Sequence, residues 1–121
     1  MALAYLIDEN LRGLLMVALV RAATRYGLTL DGMQVGDIDA PPRGTSDPDL
    51  LVWAEANSRI PVSHDRRTMP GRLTQHLAAG RRSTGVFQLR HGRLAELAEH
   101  LVIAAFASDP GEWRDKVSYV S

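Results

Sequence analysis

Short apolar runs alternate along the chain with longer stretches in which apolar residues recur every three or four positions. The first run, at 3–7, ends at the charged residue Asp8, as a buried strand does. Apolar residues then recur at helical spacing over 11–26, and Gly27 is a natural helix stop. This alternation predicts parallel strands joined by helices.

The rest of the chain continues the same alternation. Strands are predicted at 28–30 or 33–38, at 60–63 and at 84–89, and residues 117–120 form either a last strand or the end of a helix. Helices are predicted at 47–57, 70–80 and 94–106. We therefore expect one α/β domain over 1–121, a three-layer α/β/α sandwich with a central, mainly parallel sheet.

Composition narrows the chemistry that this domain can carry. The net charge is zero, but residues 1–60 hold 8 acids and 5 bases while residues 61–121 hold 6 acids and 9 bases. The absence of cysteine excludes thiolate metal sites and a cysteine nucleophile. The longest apolar stretch, 14–20, is too short to span a bilayer and no signal peptide is visible, so we expect a cytoplasmic protein that does not bind membranes.

Three carboxylates are expected to meet at one edge of the predicted sheet. Asp8 and Asp65 each end an apolar strand, and Asp47 begins the helix that leads into the Asp65 strand. Ligands of open α/β sheets sit outside the carboxyl ends of the strands. Carboxylate oxygens suit Mg²⁺ or Mn²⁺, and such an ion can promote hydrolysis of a phosphodiester.

Each acid also has a structural interpretation. Asp8 can end a strand or cap the helix that follows it. Asp47 can cap its helix ahead of Pro48, unless Ser46 is the cap. Asp65 can form surface ion pairs with the two arginines that follow it.

Several short motifs carry a resemblance to a known family. They are Leu6-Ile7-Asp8-Glu9-Asn10-Leu11, Gly44-Thr45-Ser46-Asp47, Val62-Ser63-His64-Asp65-Arg66-Arg67-Thr68-Met69-Pro70, Gly85-Val86-Phe87 and Glu112-Trp113-Arg114. With them, nearly the whole chain resembles the PIN-like superfamily of metal-dependent ribonucleases. The likeness is to a small bacterial group whose members often sit beside an antitoxin.

The resemblance implies an endoribonuclease of toxin–antitoxin type with Mg²⁺ or Mn²⁺ held by Asp8, Asp47 and Asp65. RNA would be the substrate, with Arg66 and Arg67 binding its phosphates, and the likeness also allows an antitoxin partner and a homodimer. PIN nucleases commonly carry a fourth acid near the end of the strand after Asp65, and this chain lacks it. No acidic residue lies between Asp65 and Glu96, and Glu9 and Asp49 are the available substitutes.

Two other functions remain open on these residues. The missing fourth acid favours a PIN-fold module that has lost catalysis and acts through protein contacts. A phospho-receiver domain would use Asp8 and Glu9 as its acidic pair and Asp65 as the phosphorylated residue. That site needs a lysine at the end of the last strands, whereas the only lysine, Lys116, lies in the tail.

Overall fold

Five short parallel strands form a single sheet in the computed structural model, which describes residues 2–64 and 67–121. The strands are β1 (Ala4–Ile7), β2 (Asp31–Gln34), β3 (Ile60–Ser63), β4 (Val86–Leu89) and β5 (Val117–Val120). Their order across the sheet is β2-β1-β3-β4-β5. The predicted α/β sandwich with a parallel central sheet is confirmed.

Helices precede or follow each inner strand. They are α1 (Leu14–Arg25), α2 (Asp47–Ala56), α3 (Met69–Ala78) and α4 (Leu94–Ala107), with single 3₁₀ turns at Glu9–Leu11 and Pro110–Trp113. Among the described residues, no helix has both the length and the apolar character that crossing a membrane requires.

Three element boundaries differ from the prediction. The first helix begins at Leu14 rather than at 11, because Gly13 takes a φ of +91° and breaks it from the preceding 3₁₀ turn. The second strand lies at Asp31–Gln34, directly after the predicted segment 28–30 and overlapping the first two residues of the alternative 33–38. The strand predicted from 84 begins at Val86, and residues 117–120 pair with it as a strand.

Because side chains alternate along a strand, β1 and β4 each contribute residues to two separate hydrophobic cores. On β1, Tyr5 and Ile7 pack with α1 and α4, whereas Leu6 packs with α2 and α3. On β4, Phe87 faces α1 and α4, and Val86 faces α2 and α3. Near-continuous apolar strands of this kind are expected where both faces of a parallel sheet are covered.

The chain reverses its direction across the sheet between β1 and β3. It moves outward from β1 to β2, returns past β1 to β3, and then continues through β4 to β5. α4 covers the same face as α1 although the chain is by then moving the other way. The connection through α4 therefore has the opposite hand to those through α2 and α3, and such connections are rare.

We expect Gly85→Ala to lower the free energy of unfolding by about 3 kcal/mol or more. Gly85 has a φ of +97°, and a Cβ there would lie 1.9 Å from the carbonyl oxygen of Trp113. Urea denaturation measures the loss. Gly71→Ala is the matched control, because beyond its chain neighbours and the backbone of its own helix no atom of the described residues lies within 4 Å of its Cβ position, and its effect should stay within about 1 kcal/mol. Equal effects of the two substitutions would contradict the prediction.

Candidate metal centre

The carboxyl ends of β1 and β3 lie side by side where the strand order reverses. In sheets of this order, the crevice outside these two ends is the usual ligand site. Asp8 directly follows β1, and its backbone N–H donates to the carbonyl oxygen of Val62 in β3 at 3.0 Å. The structure thus places the Asp8 backbone at the crevice, as predicted.

The Asp8 carboxyl group is partly buried and does not cap a helix. Asp8 precedes the 3₁₀ turn, but its side chain makes no capping hydrogen bond to it. Burial raises the pKa of Asp8, and the charges of Asp47 and Glu9 act in the same direction. The backbone N–H of Glu9 and the charge of His64 oppose that rise in pKa. The site therefore holds a carboxylate whose ionised form the metal-free protein disfavours.

Asp47 begins α2 but is not its cap. Ser46 is the N-cap, and its Oγ accepts a hydrogen bond from the backbone N–H of Asp49 at 3.4 Å. The interpretation of Asp47 as the cap is wrong, and the alternative with Ser46 is confirmed. The Asp47 carboxylate instead accepts a hydrogen bond from the Thr68 hydroxyl at 3.3 Å. This contact joins the start of α2 to the residue that precedes α3.

Glu9 and Arg12 hold the loop that carries Asp47. The Glu9 carboxylate accepts from the backbone N–H of Gly44 at 2.9 Å. Arg12 donates to the Val35 carbonyl at 3.1 Å and pairs with Asp37 at 2.5 Å. Glu9, considered above as a substitute ligand, thus has a structural contact.

Two predicted site residues, Asp65 and Arg66, lie outside the described residues. Their neighbour Arg67 is exposed in the turn ahead of α3. Of the three predicted metal-binding acids, the structure brings Asp8 and Asp47 close enough for the charge of Asp47 to raise the pKa of Asp8.

Sequence reasoning missed a row of polar residues that crosses the sheet beside Asp8. In the register of the sheet, Ser63 pairs with Gln88, and Gln88 pairs with Tyr119. Asp8 lies level with Ser63, because each is one residue beyond the Ile7–Val62 pair. By strand alternation, all four side chains are on the α2/α3 face of the sheet. We call Asp8, Ser63, Gln88 and Tyr119 the polar row.

Gln88 is the least expected member of the polar row. Its side chain is completely buried, and in the described part of the chain neither its amide nitrogen nor its amide oxygen has a hydrogen-bond partner. A buried amide without partners costs about 1–3 kcal/mol. The only signal in the sequence is one glutamine in the otherwise apolar strand Val86–Leu89.

The described acids fit a hard divalent cation held partly by the protein. Among residues 2–64 and 67–121, which exclude Asp65, no three His, Asp or Glu side chains are grouped to hold a metal ion. Mg²⁺ commonly binds proteins through one or two carboxylates, with water and substrate phosphate as its other ligands. Asp8 and Asp47 supply two carboxylates at this edge of the sheet, close enough for the charge of one to act on the other.

Several other charged groups have structural contacts away from this edge. Arg82 pairs with Asp115 at 2.6 Å, and His76 Nε2 lies 2.7 Å from the Arg82 carbonyl oxygen. Lys116 precedes β5 and so lies at the opposite edge of the sheet, with its Nζ 5.6 Å from the Trp113 ring centre. A receiver domain needs its lysine at the carboxyl edge, so this position argues against that function.

In comparisons with known proteins, no family model, no curated protein and no solved structure matches the chain. The site therefore has to be interpreted from its own geometry.

We expect Asp8→Asn to raise the melting temperature of the metal-free protein at pH 7. The folded pKa of Asp8 is raised, so the folded state binds this proton more tightly than the unfolded state does. The contribution of Asp8 to stability is then greatest at low pH and falls as the pH rises through its folded pKa. Thermal denaturation in EDTA, run from acidic to neutral pH, measures the difference between variant and wild type.

Asp37→Asn is the control and should have the opposite sign. The Gln34 N–H and then Arg12 lower the pKa of Asp37, so its ionised form stabilises the folded state at neutral pH. This variant should melt below wild type at pH 7, and the difference should shrink as the pH falls through the folded pKa. A decrease in melting temperature for Asp8→Asn would contradict the assignment of Asp8 as a destabilising carboxylate.

Gln88→Met should raise the free energy of unfolding by about 1 kcal/mol or more, because it replaces an unpartnered buried amide with an apolar side chain of similar shape. Urea denaturation measures this gain. Gln75→Met on the exposed side of α3 is the control and should change stability by less than about 0.5 kcal/mol. A clear loss of stability in Gln88→Met would mean that the amide is hydrogen-bonded in solution.

Proposed function

We propose that this protein is a ribonuclease that depends on Mg²⁺ or Mn²⁺, with Asp8, Asp47 and Asp65 as the metal-binding acids. The observation that carries the proposal is the partly buried Asp8 carboxyl group at the strand-order reversal, with its pKa raised by burial and by Asp47. A carboxylate whose ionised form costs stability is typical of a functional site.

The surrounding residues have separable tasks in this proposal. Asp8 and Asp47 hold the cation, and the Thr68 hydroxyl orients Asp47 through its hydrogen bond. Arg67 is exposed and directly precedes Thr68, and it and Arg66 would bind the substrate phosphate. When bound, the ion supplies Lewis acidity toward phosphoryl oxygens and lowers the pKa of water.

RNA is the substrate we propose, because the motifs around Asp8, Asp47 and Asp65 resemble those of PIN-like ribonucleases. The same likeness supports a toxin–antitoxin role with an antitoxin as the protein partner. The acid-free stretch 66–95 also gives this half of the chain its excess of basic residues, which favours a polyanionic substrate.

A second candidate function is protein binding without catalysis. It is favoured by apolar residues on the outer sides of α1 and α4. Leu14 is 76% exposed, Val20 is 54% exposed and Ile103 is 48% exposed. Apolar patches of this kind often mark protein interfaces, and an antitoxin or a second copy of the chain would be the partner.

Calorimetric titration with MnCl₂ tests the metal centre without requiring knowledge of the RNA sequence. Wild type should bind Mn²⁺, and Asp8→Asn and Asp47→Asn should each weaken binding by at least about tenfold, since loss of even an outer-shell partner costs that much. Asp65→Asn should behave in the same way. The same substitutions should abolish Mn²⁺-dependent cleavage of an unstructured RNA that carries a fluorophore and a quencher.

Asp31→Asn is the matched control. Asp31 is an exposed carboxylate at the amino end of β2, on the opposite edge of the sheet, where it pairs with Arg59 at 2.9 Å. This variant should bind Mn²⁺ and cleave RNA as wild type does. If wild type bound no Mn²⁺ with or without RNA, the ribonuclease proposal would fail and the protein-binding function would be favoured.

A further inference from the structure

Tyr119 forms the end of the polar row farthest from Asp8. It lies on β5 opposite Gln88 and leaves 51% of its side chain exposed. The guanidinium carbon of Arg90 lies 4.4 Å from the centre of the Tyr119 ring. One face of the ring is therefore occupied by a cation, while about half of the side chain remains accessible to a ligand.

An open depression surrounds this pair at the carboxyl ends of β4 and β5. It has a volume of about 500 Å³ and is lined by Arg90, His91, Tyr119 and Ser121. Arg90 and His91 are both exposed. A cleft with an aromatic ring, a guanidinium group and an imidazole suits a group that is both flat and negatively charged.

The position of the depression relative to Asp8 connects it to the candidate metal centre. Neighbouring strands lie about 4.8 Å apart, and three such steps separate β1 from β5. Tyr119 is thus roughly 14 Å from Asp8 along the same edge and on the same face of the sheet. This separation is short enough for one polynucleotide to contact both Asp8 and Tyr119.

The chemistry favours a single strand over a duplex. Stacking on a tyrosine needs a base whose face is free, and bases of single-stranded segments can turn outward in this way. The Arg90 guanidinium lies over one face of the same ring, so the base would take the opposite face, with Arg90 at the edge of the stack. Its charge would then meet the phosphate of that nucleotide.

We propose that Tyr119 and Arg90 form a binding site for single-stranded RNA, in which a base stacks on Tyr119 and Arg90 contacts the adjoining phosphate. This inference rests on the ribonuclease proposal for its choice of RNA. It assigns the substrate a path from Asp8 across β3 and β4 to β5.

Fluorescence anisotropy with a short fluorescein-labelled oligouridylate tests this site in EDTA, where a metal-dependent nuclease does not cleave. Tyr119→Ala should weaken binding about fivefold or more, and Tyr119→Phe should bind as wild type does because stacking is retained. Arg90→Gln should weaken binding and reduce its dependence on salt, since one phosphate contact is lost. A duplex RNA of the same length should bind more weakly, without a contribution from Tyr119.

Tyr26 and Arg25 supply matched controls. Tyr26 is 49% exposed and bonds to Glu99 at the C-terminal end of α1, which lies at the opposite edge of the sheet. Tyr26→Ala and Arg25→Gln should leave oligouridylate binding unchanged. Comparable weakening by Tyr26→Ala, an equal loss in Tyr119→Phe and Tyr119→Ala, or no binding by wild type would each overturn the proposal.

Cleavage assays separate this inference from the ribonuclease proposal. If Mn²⁺-dependent cleavage required Asp8 but Tyr119→Ala left KM unchanged, the metal centre would stand and the Tyr119 site would be refuted. If binding required Tyr119 but no RNA were cleaved with Mg²⁺ or Mn²⁺, the site would stand and the nuclease activity would be refuted.

Discussion

The structure depends on β1 being hydrogen-bonded on both sides and covered on both faces. β2 and β3 flank it, Tyr5 and Ile7 enter one core, and Leu6 enters the other. A shift of one residue in this strand would exchange its two faces and bury a charge. This packing fixes where β1 ends, and the residue at that end is Asp8. The geometry of the candidate metal centre follows from the packing of the central strand.

Polar side chains in this molecule are of two kinds, which differ in the sign of their contribution to the stability of the fold. Asp37 and Asp115 have lowered pKa values because N–H donors and arginines stabilise their ionised forms. Asp8 has a raised pKa, and Gln88 on the same face of the sheet is buried without a hydrogen-bond partner among the described residues. The first kind strengthens the fold, whereas the second reduces its stability. Both groups of the second kind belong to the polar row.

Much of the fold could be predicted because apolar runs and helical periodicity are local properties of the sequence. The strand 60–63 and the helix starting at Asp47 were placed correctly for this reason. The first helix was extended too far, since periodicity does not show the positive φ of Gly13. Gln88 was missed because its importance depends on pairing with Ser63, which lies 25 residues away in another strand. Long-range register of this kind cannot be deduced from one strand alone.

The hydrogen bonds between β1 and α4 also determine when this protein can fold during synthesis. Tyr5 donates its hydroxyl to the Leu101 carbonyl, 96 residues later, and the Leu3 N–H donates to the Ala105 carbonyl. In a nascent chain, α1 alone therefore covers this face of the central strand until α4 has left the ribosome. Long-range closure of this kind slows folding and leaves apolar surface exposed in the meantime. Fragments that end before residue 94 would consequently lack a complete core on this face of the sheet.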